Sequence, residues 1–143
     1  MACDWRLLAA GSKVALSEIR AGLSPTTGLI ARLTALSSDP RAVKEMVLRG
    51  KSLGAEEALA AALVDEVLPE ADVRAAALTL ARRLAKSPPR AFAEIKRSLN
   101  ASAADEALWR RSLEEFSDVF AGAEAVEGVA ALRAKRRPRW EGA

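Results

Sequence analysis

The sequence predicts an α+β fold that is mainly helical, with short strands near the N-terminus and a helical body behind them. Half of the 143 residues are hydrophobic but only 4% are aromatic, so alanine and leucine must supply most of the packing. That composition favours close-packed helices, because strands prefer aromatic and β-branched residues. Apolar residues also recur at helical spacing beyond Gly28, whereas short apolar runs separated by turn residues precede it.

Short strands are predicted at Asp4–Ala10 and Lys13–Ser17, on either side of Gly11-Ser12, and a brief third strand near Val64–Val67. Because the sequence offers few other strands, the first two would leave backbone groups unpaired, which is costly in a core. We therefore expect the chain to begin in the middle of a fold.

The first helices are marked by their ends. Asp39 is typical of an N-cap, Pro40 of the first helical position and Gly50 of a C-terminal cap. A short helix opens at Gly54–Ala58, with acidic residues in its first turn. A last helix is predicted around Val126–Leu132.

Apolar stripes at helical spacing predict further helices, with a break at Ser87-Pro88-Pro89. We expect these stripes to face the core. They are formed by Val43, Met46 and Val47; by Val73, Ala77, Leu80 and Leu84; by Phe92, Ile95 and Leu99; and by Trp109, Leu113, Phe116 and Phe120.

Composition excludes several kinds of site. The chain has no histidine, which removes Ser-His-Asp and Cys-His catalysis and the commonest metal ligand, so no metal site is expected. Cys3 is the only cysteine, which fits a reducing cytoplasm. No apolar run is long enough for a membrane span. We interpret the basic run Lys135–Arg139 as a solvated, frayed tail; a phosphate-binding tail is the alternative, and nucleic-acid binding lacks interleaved aromatic residues.

The most informative stretch for chemistry is the passage from Val14 to Gly28. Glu18 follows an apolar strand and lies between Leu16 and Ile19, so apolar walls would disfavour its charged form. A carboxyl group in such a place suits proton transfer. Taken by itself, the pattern also fits an ordinary solvated glutamate near a turn.

Five segments in register resemble the crotonase superfamily, the enoyl-CoA hydratase/isomerase family, over essentially the whole chain. They are Ala2–Asp4 with Ala15–Glu18 and Gly22–Pro25; Met46–Ala58; Leu63–Pro69; Pro89, Ala91 and Lys96; and Glu127–Arg136 with Pro138–Trp140. The resemblance implies the C-terminal half of a ClpP/crotonase fold. Residues 1–70 would form part of its core, and residues 71–143 a helical oligomerisation region with a basic tail.

The resemblance also implies a mechanism. The family binds an acyl-CoA thioester and stabilises an enolate through two backbone N–H donors. Glu18 matches the glutamate that moves the proton, and the loop of Pro25, Thr26, Thr27 and Gly28 matches a substrate-binding segment. Coenzyme A is then part of the substrate, and no cofactor is expected. A homotrimer or hexamer with no membrane or nucleic-acid partner is implied.

Three residues depart from the family pattern, and the two threonines among them limit which members of the family this chain can resemble in mechanism. Thr26 and Thr27 replace glycines of a Gly-rich loop and cannot serve as the catalytic aspartate of some relatives. Ala62 stands where the family has glycine, which would cost about 1 kcal/mol if the residue is left-handed.

The segments that supply the oxyanion donors, and the second glutamate of the hydratases, would precede Met1. We therefore expect an enzyme that is inactive as this chain alone and cannot be assigned to hydratase or isomerase. A non-catalytic interaction module that keeps the family's C-terminal helices is the alternative.

Overall fold

The core of the molecule is built by three helices and the loops between them. In a computed structural model, residues 3–101, 110, 113–114, 117 and 120–139 are described. The core helices are α1 (Thr27–Leu36), α2 (Pro40–Arg49) and α3 (Ala55–Ala60). Their buried residues form one cluster, comprising Leu33, Val43, Met46, Leu53, Ala58, Ala61, Leu63 and Val64. Each large apolar side chain buried here contributes roughly 1.5–3 kcal/mol to stability.

Helix α2 begins and ends as its sequence predicts. The side chain of Asp39 accepts a hydrogen bond from the Arg41 N–H at 2.9 Å, Pro40 opens the helix, and Gly50 closes it in a left-handed conformation with φ 62°. Val43 and Met46 on its predicted apolar face are buried. The predicted core-facing stripe of α2 is therefore confirmed.

The predicted strands exist but are shorter than expected. Strand β1 is Leu7–Ala9 and pairs in parallel with β4, Glu66–Leu68; β2 is Lys13–Val14 and pairs antiparallel with β3, Leu53–Gly54. In the described residues each strand has one partner along one edge. The third predicted strand is thus confirmed near its expected place, two residues later than Val64.

Local contacts explain the shortened strands. The backbone N–H and the guanidinium of Arg6 both donate to the Asp65 carboxylate, at 2.8 and 3.2 Å, and the Asp65 N–H donates to Arg6 O at 2.8 Å. The Asp65 side chain thus accepts from the Arg6 N–H in place of a backbone carbonyl, and the ladder ends there. After Val14 the partner strand β3 ends, so residues 15–17 leave the sheet and lead into a 3₁₀ helix.

Ala62, which stands where the family has glycine, adopts a left-handed conformation with φ 56°. The Leu63 N–H donates to Ala58 O and the Ala62 N–H to Leu59 O, both at 2.9 Å, which is a Schellman cap at the end of α3. A residue with a Cβ therefore occupies a position that favours glycine, and the expected strain is present.

The remaining helices are α4 (Glu70–Leu84), α5 (Pro89–Ala101) and α6 (Ala123–Arg133), and residues 110, 113, 114, 117, 120 and 121 are also helical. The prediction that their apolar stripes face the core holds in part for α4, where Val73, Leu80 and Leu84 are half-buried, and is wrong for Ile95 and Leu99 of α5. No residue of α4 is fully buried, and in α5 the side chains of Ile95 and Leu99 are 61% and 71% exposed. The spacing identified apolar helical faces correctly: α4 packs against β1, and Ile95 and Leu99 line a groove together with Trp5 and Leu36.

The stripe beyond α5 is only partly visible. Leu113 and Phe120 are mostly exposed, which contradicts a core role for them, while Trp109 and Phe116 lie outside the described residues. None of the described helices combines the length and apolar character that crossing a bilayer requires.

The basic tail is not frayed, contrary to the sequence prediction. Arg136 donates two hydrogen bonds to the Glu127 carboxylate, at 2.6 and 2.8 Å, and the Arg139 N–H donates to the same group at 2.7 Å. Lys135 is left-handed, with φ 52°, and lets the chain turn back along α6. A bidentate arginine–carboxylate pair therefore holds residues 136–139 against this helix.

Candidate active site

Glu18 begins a 3₁₀ helix, Glu18–Ala21, which connects β2 to the loop before α1. Ser17 precedes it, and Gly22 ends it with φ 66°, a left-handed turn that allows the Leu23 N–H to donate to Glu18 O at 3.0 Å. The chain reverses here within a few residues. Glu18 is thereby placed at a bend between the sheet and the helical core.

A groove of about 400 Å³ lies beside this helix. Its described lining is mostly apolar and consists of Ala15, Ser17, Glu18, Arg20, Ala21, Leu23 and Leu132. Among these residues Glu18 is the one carboxylic acid. The groove is therefore a mainly apolar space with a single carboxyl group in its wall.

The carboxyl group of Glu18 is poorly satisfied. Its Oε2 atom is shielded from solvent and has no hydrogen-bond partner, the one buried side-chain polar atom in that condition among the residues described. Leaving a buried polar atom unpaired costs about 1–3 kcal/mol. Such atoms in native structures need an explanation, and a ligand that completes the hydrogen bonding is one.

The loop predicted to bind substrate lies next to the Glu18 helix in sequence but does not line the groove. Pro25 and Gly28 are buried, and Thr26 is the N-cap of α1, its hydroxyl accepting from the Leu29 N–H at 3.3 Å. The described lining of the groove therefore includes Leu23 and Leu132 with Glu18, and none of residues 25–28. The substrate-binding role of Pro25, Thr26, Thr27 and Gly28 stays a prediction.

Three residues near Glu18 were not singled out from the sequence. Leu132 reaches the groove from α6, Arg20 lines it from the 3₁₀ helix, and Gly128 of α6 packs against Ala21. Leu132 and Gly128 follow Glu18 by more than a hundred positions, so local spacing carries no sign of their proximity. The family motif that includes Gly128 was the one sequence feature that pointed to this residue.

The tail contact has its own electrostatics. Hydrogen bonds from Arg136 and from the Arg139 backbone lower the pKa of Glu127 to about 2. Similarly, Lys51, which bonds to Glu57 at 2.8 Å, and the Gly54 N–H lower the pKa of Glu57 at the start of α3. Both carboxylates stabilise local structure through these hydrogen bonds. In the described part of the chain no three acidic or cysteine side chains converge as metal ligands.

Comparisons with known proteins identify the family and the fold. Residues 1–143 match the enoyl-CoA hydratase/isomerase family. The chain is 35% identical to a carnitinyl-CoA dehydratase of Escherichia coli (strain K12), over 148 aligned positions that cover 99% of the chain and 56% of the relative. It thus spans a little over half the length of the curated relatives it matches.

Solved structures give the same result. An enoyl-CoA hydratase/isomerase from Pseudoalteromonas atlantica T6c superposes with a TM-score of 0.89 at 27% identity, covering 97% of this chain and 56% of that one. A carnitinyl-CoA hydratase from Mycobacterium avium gives 0.84 at 30% identity, covering 96% and 54%. The predicted crotonase-like, mainly helical α+β fold is confirmed. The chain belongs to the enoyl-CoA hydratase/isomerase family, the crotonase superfamily.

Proposed function

We propose that this chain carries the proton-transfer part of an active site that acts on an acyl-CoA thioester, with Glu18 as its acid/base. The observation that carries the proposal is the shielded, unpartnered Oε2 atom of Glu18 in the wall of a mostly apolar groove. Family membership supplies the substrate class. Coenzyme A is part of the substrate in this account, and no separate cofactor is required.

The chemistry follows from the placement of the carboxyl group. Glu18 takes a proton from, or returns it to, the carbon next to the thioester carbonyl, and Leu23 and Leu132 form apolar walls that limit water beside it. Charge then develops on the thioester oxygen, and donors preorganised toward that oxygen supply the larger share of catalysis. By resemblance to the family, these donors belong to a segment that precedes this sequence.

Hydration or dehydration is the reaction we favour over isomerisation. The curated and solved relatives include proteins named carnitinyl-CoA dehydratase and carnitinyl-CoA hydratase. Adding water needs a second group that activates the water, and Glu18 is the one acid among the described residues of the groove. The second acid would lie in the same upstream segment as the oxyanion donors, and a site that lacks it would isomerise the substrate.

The assembly we propose is a homotrimer or hexamer in the cytoplasm. Ile95 and Leu99 of α5 are mostly exposed beside a groove that Trp5 and Leu36 also line, and exposed apolar surfaces of this kind suit contacts between subunits. The exposed, unpaired thiol of Cys3 fits a reducing compartment.

A second candidate is a non-catalytic oligomerisation module. The same exposed apolar face of α5 favours it, since that surface exists whether or not Glu18 meets a substrate. In this case the chain would assemble with other subunits but turn nothing over.

The experiment joins this chain to the N-terminal half of a family member, by fusion or co-expression, and follows the ultraviolet absorbance of enoyl thioesters. The 143-residue chain by itself should be inactive and the joined protein active. In the joined protein, Glu18→Gln should reduce turnover by about 10²–10⁴-fold while acyl-CoA binding persists.

Glu56→Gln is the matched control, because Glu56 is an exposed glutamate in the first turn of α3 and does not line the groove. Near-normal turnover in Glu18→Gln would remove Glu18 from its role. A joined protein that binds no CoA thioester would favour the oligomerisation module.

A further inference from the structure

The 3₁₀ helix that carries Glu18 is not held in place by buried side chains of its own. It is four residues long and contains no buried residue. The Oε2 atom of Glu18 accepts no hydrogen bond, so no bond to that atom holds the carboxyl group in its orientation. The direction of Glu18 therefore depends on what holds the backbone of residues 18–21.

One side of this helix is fastened by Arg20. Its Nη2 donates to Gly50 O at 2.6 Å, across thirty positions of sequence. Gly50 ends α2, where a carbonyl group lacks an intrahelical partner and a cation is favoured by the helix dipole. Because Val43 and Met46 bury α2 in the core, the guanidinium ties the Glu18 helix to an element that is packed in the core.

The contact between Arg20 and Gly50 is close. A Cβ at Gly50 would lie 2.8 Å from Arg20 Nε and 3.2 Å from Arg20 Cγ, so the arginine side chain passes directly over the glycine. The absence of a side chain at residue 50 thus serves two purposes: it permits the left-handed cap, and it leaves room for this contact.

The other side of the helix rests on α6. A Cβ at Gly128 would lie 1.9 Å from Ala21 O and 2.2 Å from Ala21 C, so the two backbones touch. The 3₁₀ helix therefore packs directly against α6 on this side. On the other side, the hydrogen bond from Arg20 connects it to α2.

We propose that Arg20 is a positioning residue for Glu18: its bond to the Gly50 carbonyl holds the 3₁₀ helix against α6 and so aims the Glu18 carboxyl group into the groove. This inference rests on the proposed function. The rival role is direct binding of a substrate anion, because Arg20 also lines the groove. The two roles differ in measurable ways, since positioning acts on the backbone and on turnover, whereas anion binding acts on substrate affinity.

The first measurement uses the 143-residue chain and needs no substrate. The Leu23 N–H, which bonds to Glu18 O at 3.0 Å, reports whether the helix is held. Hydrogen exchange at this amide should be about tenfold faster in Arg20→Ala, because a hydrogen bond from a charged group is lost. Arg20→Lys, which keeps a cationic donor, should restore most of the protection.

The second measurement uses the chain joined to the family's N-terminal half. Arg20→Ala should lower kcat about tenfold and leave the Kd for acyl-CoA unchanged, and it should cause no further loss when Glu18→Gln is already present. Arg49→Ala is the matched control, since Arg49 is the last residue of α2, next to Gly50, but pairs with Glu45 of α2 and not with the 3₁₀ helix. It should change neither exchange at Leu23 nor turnover.

Unchanged exchange and unchanged kcat in Arg20→Ala would overturn the proposal. A raised Kd with unchanged exchange would overturn it in favour of anion binding. Faster exchange in Arg20→Ala together with full activity in Glu18→Gln would instead contradict the proposed function, while leaving Arg20 as the residue that holds the helix.

Discussion

The core helices and the helices that follow them carry similar apolar stripes but bury them to different extents. On α2, Val43 and Met46 are buried in one cluster with residues of α1 and α3. On α5, Ile95 and Leu99 are mostly exposed, and the helix is tied to the N-terminal region by an ion pair between Lys96 and Asp4 at 2.6 Å. An apolar stripe thus shows that a helix has an apolar face. Whether that face is buried depends on the elements that pack around the helix.

The largest expected effect is in the core. Met46→Ala should reduce the free energy of unfolding by about 2–5 kcal/mol, because it leaves a cavity where the side chain is fully buried. Leu99→Ala, the matched change on α5, should stay within about 0.5 kcal/mol. Urea denaturation of the chain measures both. Equal losses would mean that α5 is covered in solution and would break the comparison.

A change where α6 meets the 3₁₀ helix comes next in size. Gly128→Ala places a methyl group against the Ala21 carbonyl and should cost about 3 kcal/mol, the upper end of ordinary overpacking. Gly11→Ala is the control, since a Cβ there meets nothing within 4 Å. Thermal unfolding monitored by circular dichroism distinguishes the two. If both variants unfold at the temperature of the unmodified chain, α6 does not dock on Ala21 as described.

The ends of elements in the core region were the easiest features to predict. Asp39, Pro40 and Gly50 mark α2 because capping depends on chemistry within one turn. The sequence predicted strain at Ala62 on the condition that the residue is left-handed, and its φ of 56° meets that condition. Strand lengths were overestimated because they depend on distant partners: β1 stops where Arg6 bonds to Asp65, and β2 where β3 ends.

A smaller gain is expected from relieving the strain in the core. Ala62→Gly should raise the free energy of unfolding by about 1 kcal/mol, because glycine adopts φ 56° without a steric penalty. Ala61→Gly is a fitting control, since Ala61 is buried with φ −82° and should lose stability instead. Denaturant midpoints of the two variants should move in opposite directions. A lower midpoint for Ala62→Gly would show that the Cβ of Ala62 contributes more by packing than it costs in strain.

The smallest effect concerns the tail and depends on pH. The pKa of Glu127 is lowered to about 2, so the stabilisation from its bonds to Arg136 and the Arg139 N–H is present above the ordinary glutamate pKa of 4.5. It is lost as pH falls from there toward 2. Glu127→Gln should therefore unfold at a lower temperature than the unmodified chain at pH 6, and the difference should shrink toward pH 2.

Thermal unfolding of both chains between pH 2 and pH 6 tests this prediction. Glu124→Gln, in the first turn of the same helix, is the control. A difference that does not vary with pH would show that Glu127 acts through packing and not through its charge.

The candidate site was predictable only in part. Glu18 was singled out because it follows an apolar strand before a glycine turn and matches the family's proton-moving glutamate, and in the structure it lies at a groove. Its neighbours Gly128 and Leu132 arrive from α6 through long-range packing. The loop Pro25–Gly28 was predicted from its resemblance to a family segment; Thr26 caps α1, and the substrate-binding role of the loop stays a prediction.

The central claim, that Glu18 moves a proton at the carbon beside the thioester carbonyl, can be measured without following a complete turnover. A saturated acyl-CoA is incubated in D₂O with this chain joined to the family's N-terminal half, and nuclear magnetic resonance follows deuterium entering at that carbon. The account predicts exchange with Glu18 present and loss of at least about a hundredfold in Glu18→Gln. Exchange at an undiminished rate in Glu18→Gln would contradict it.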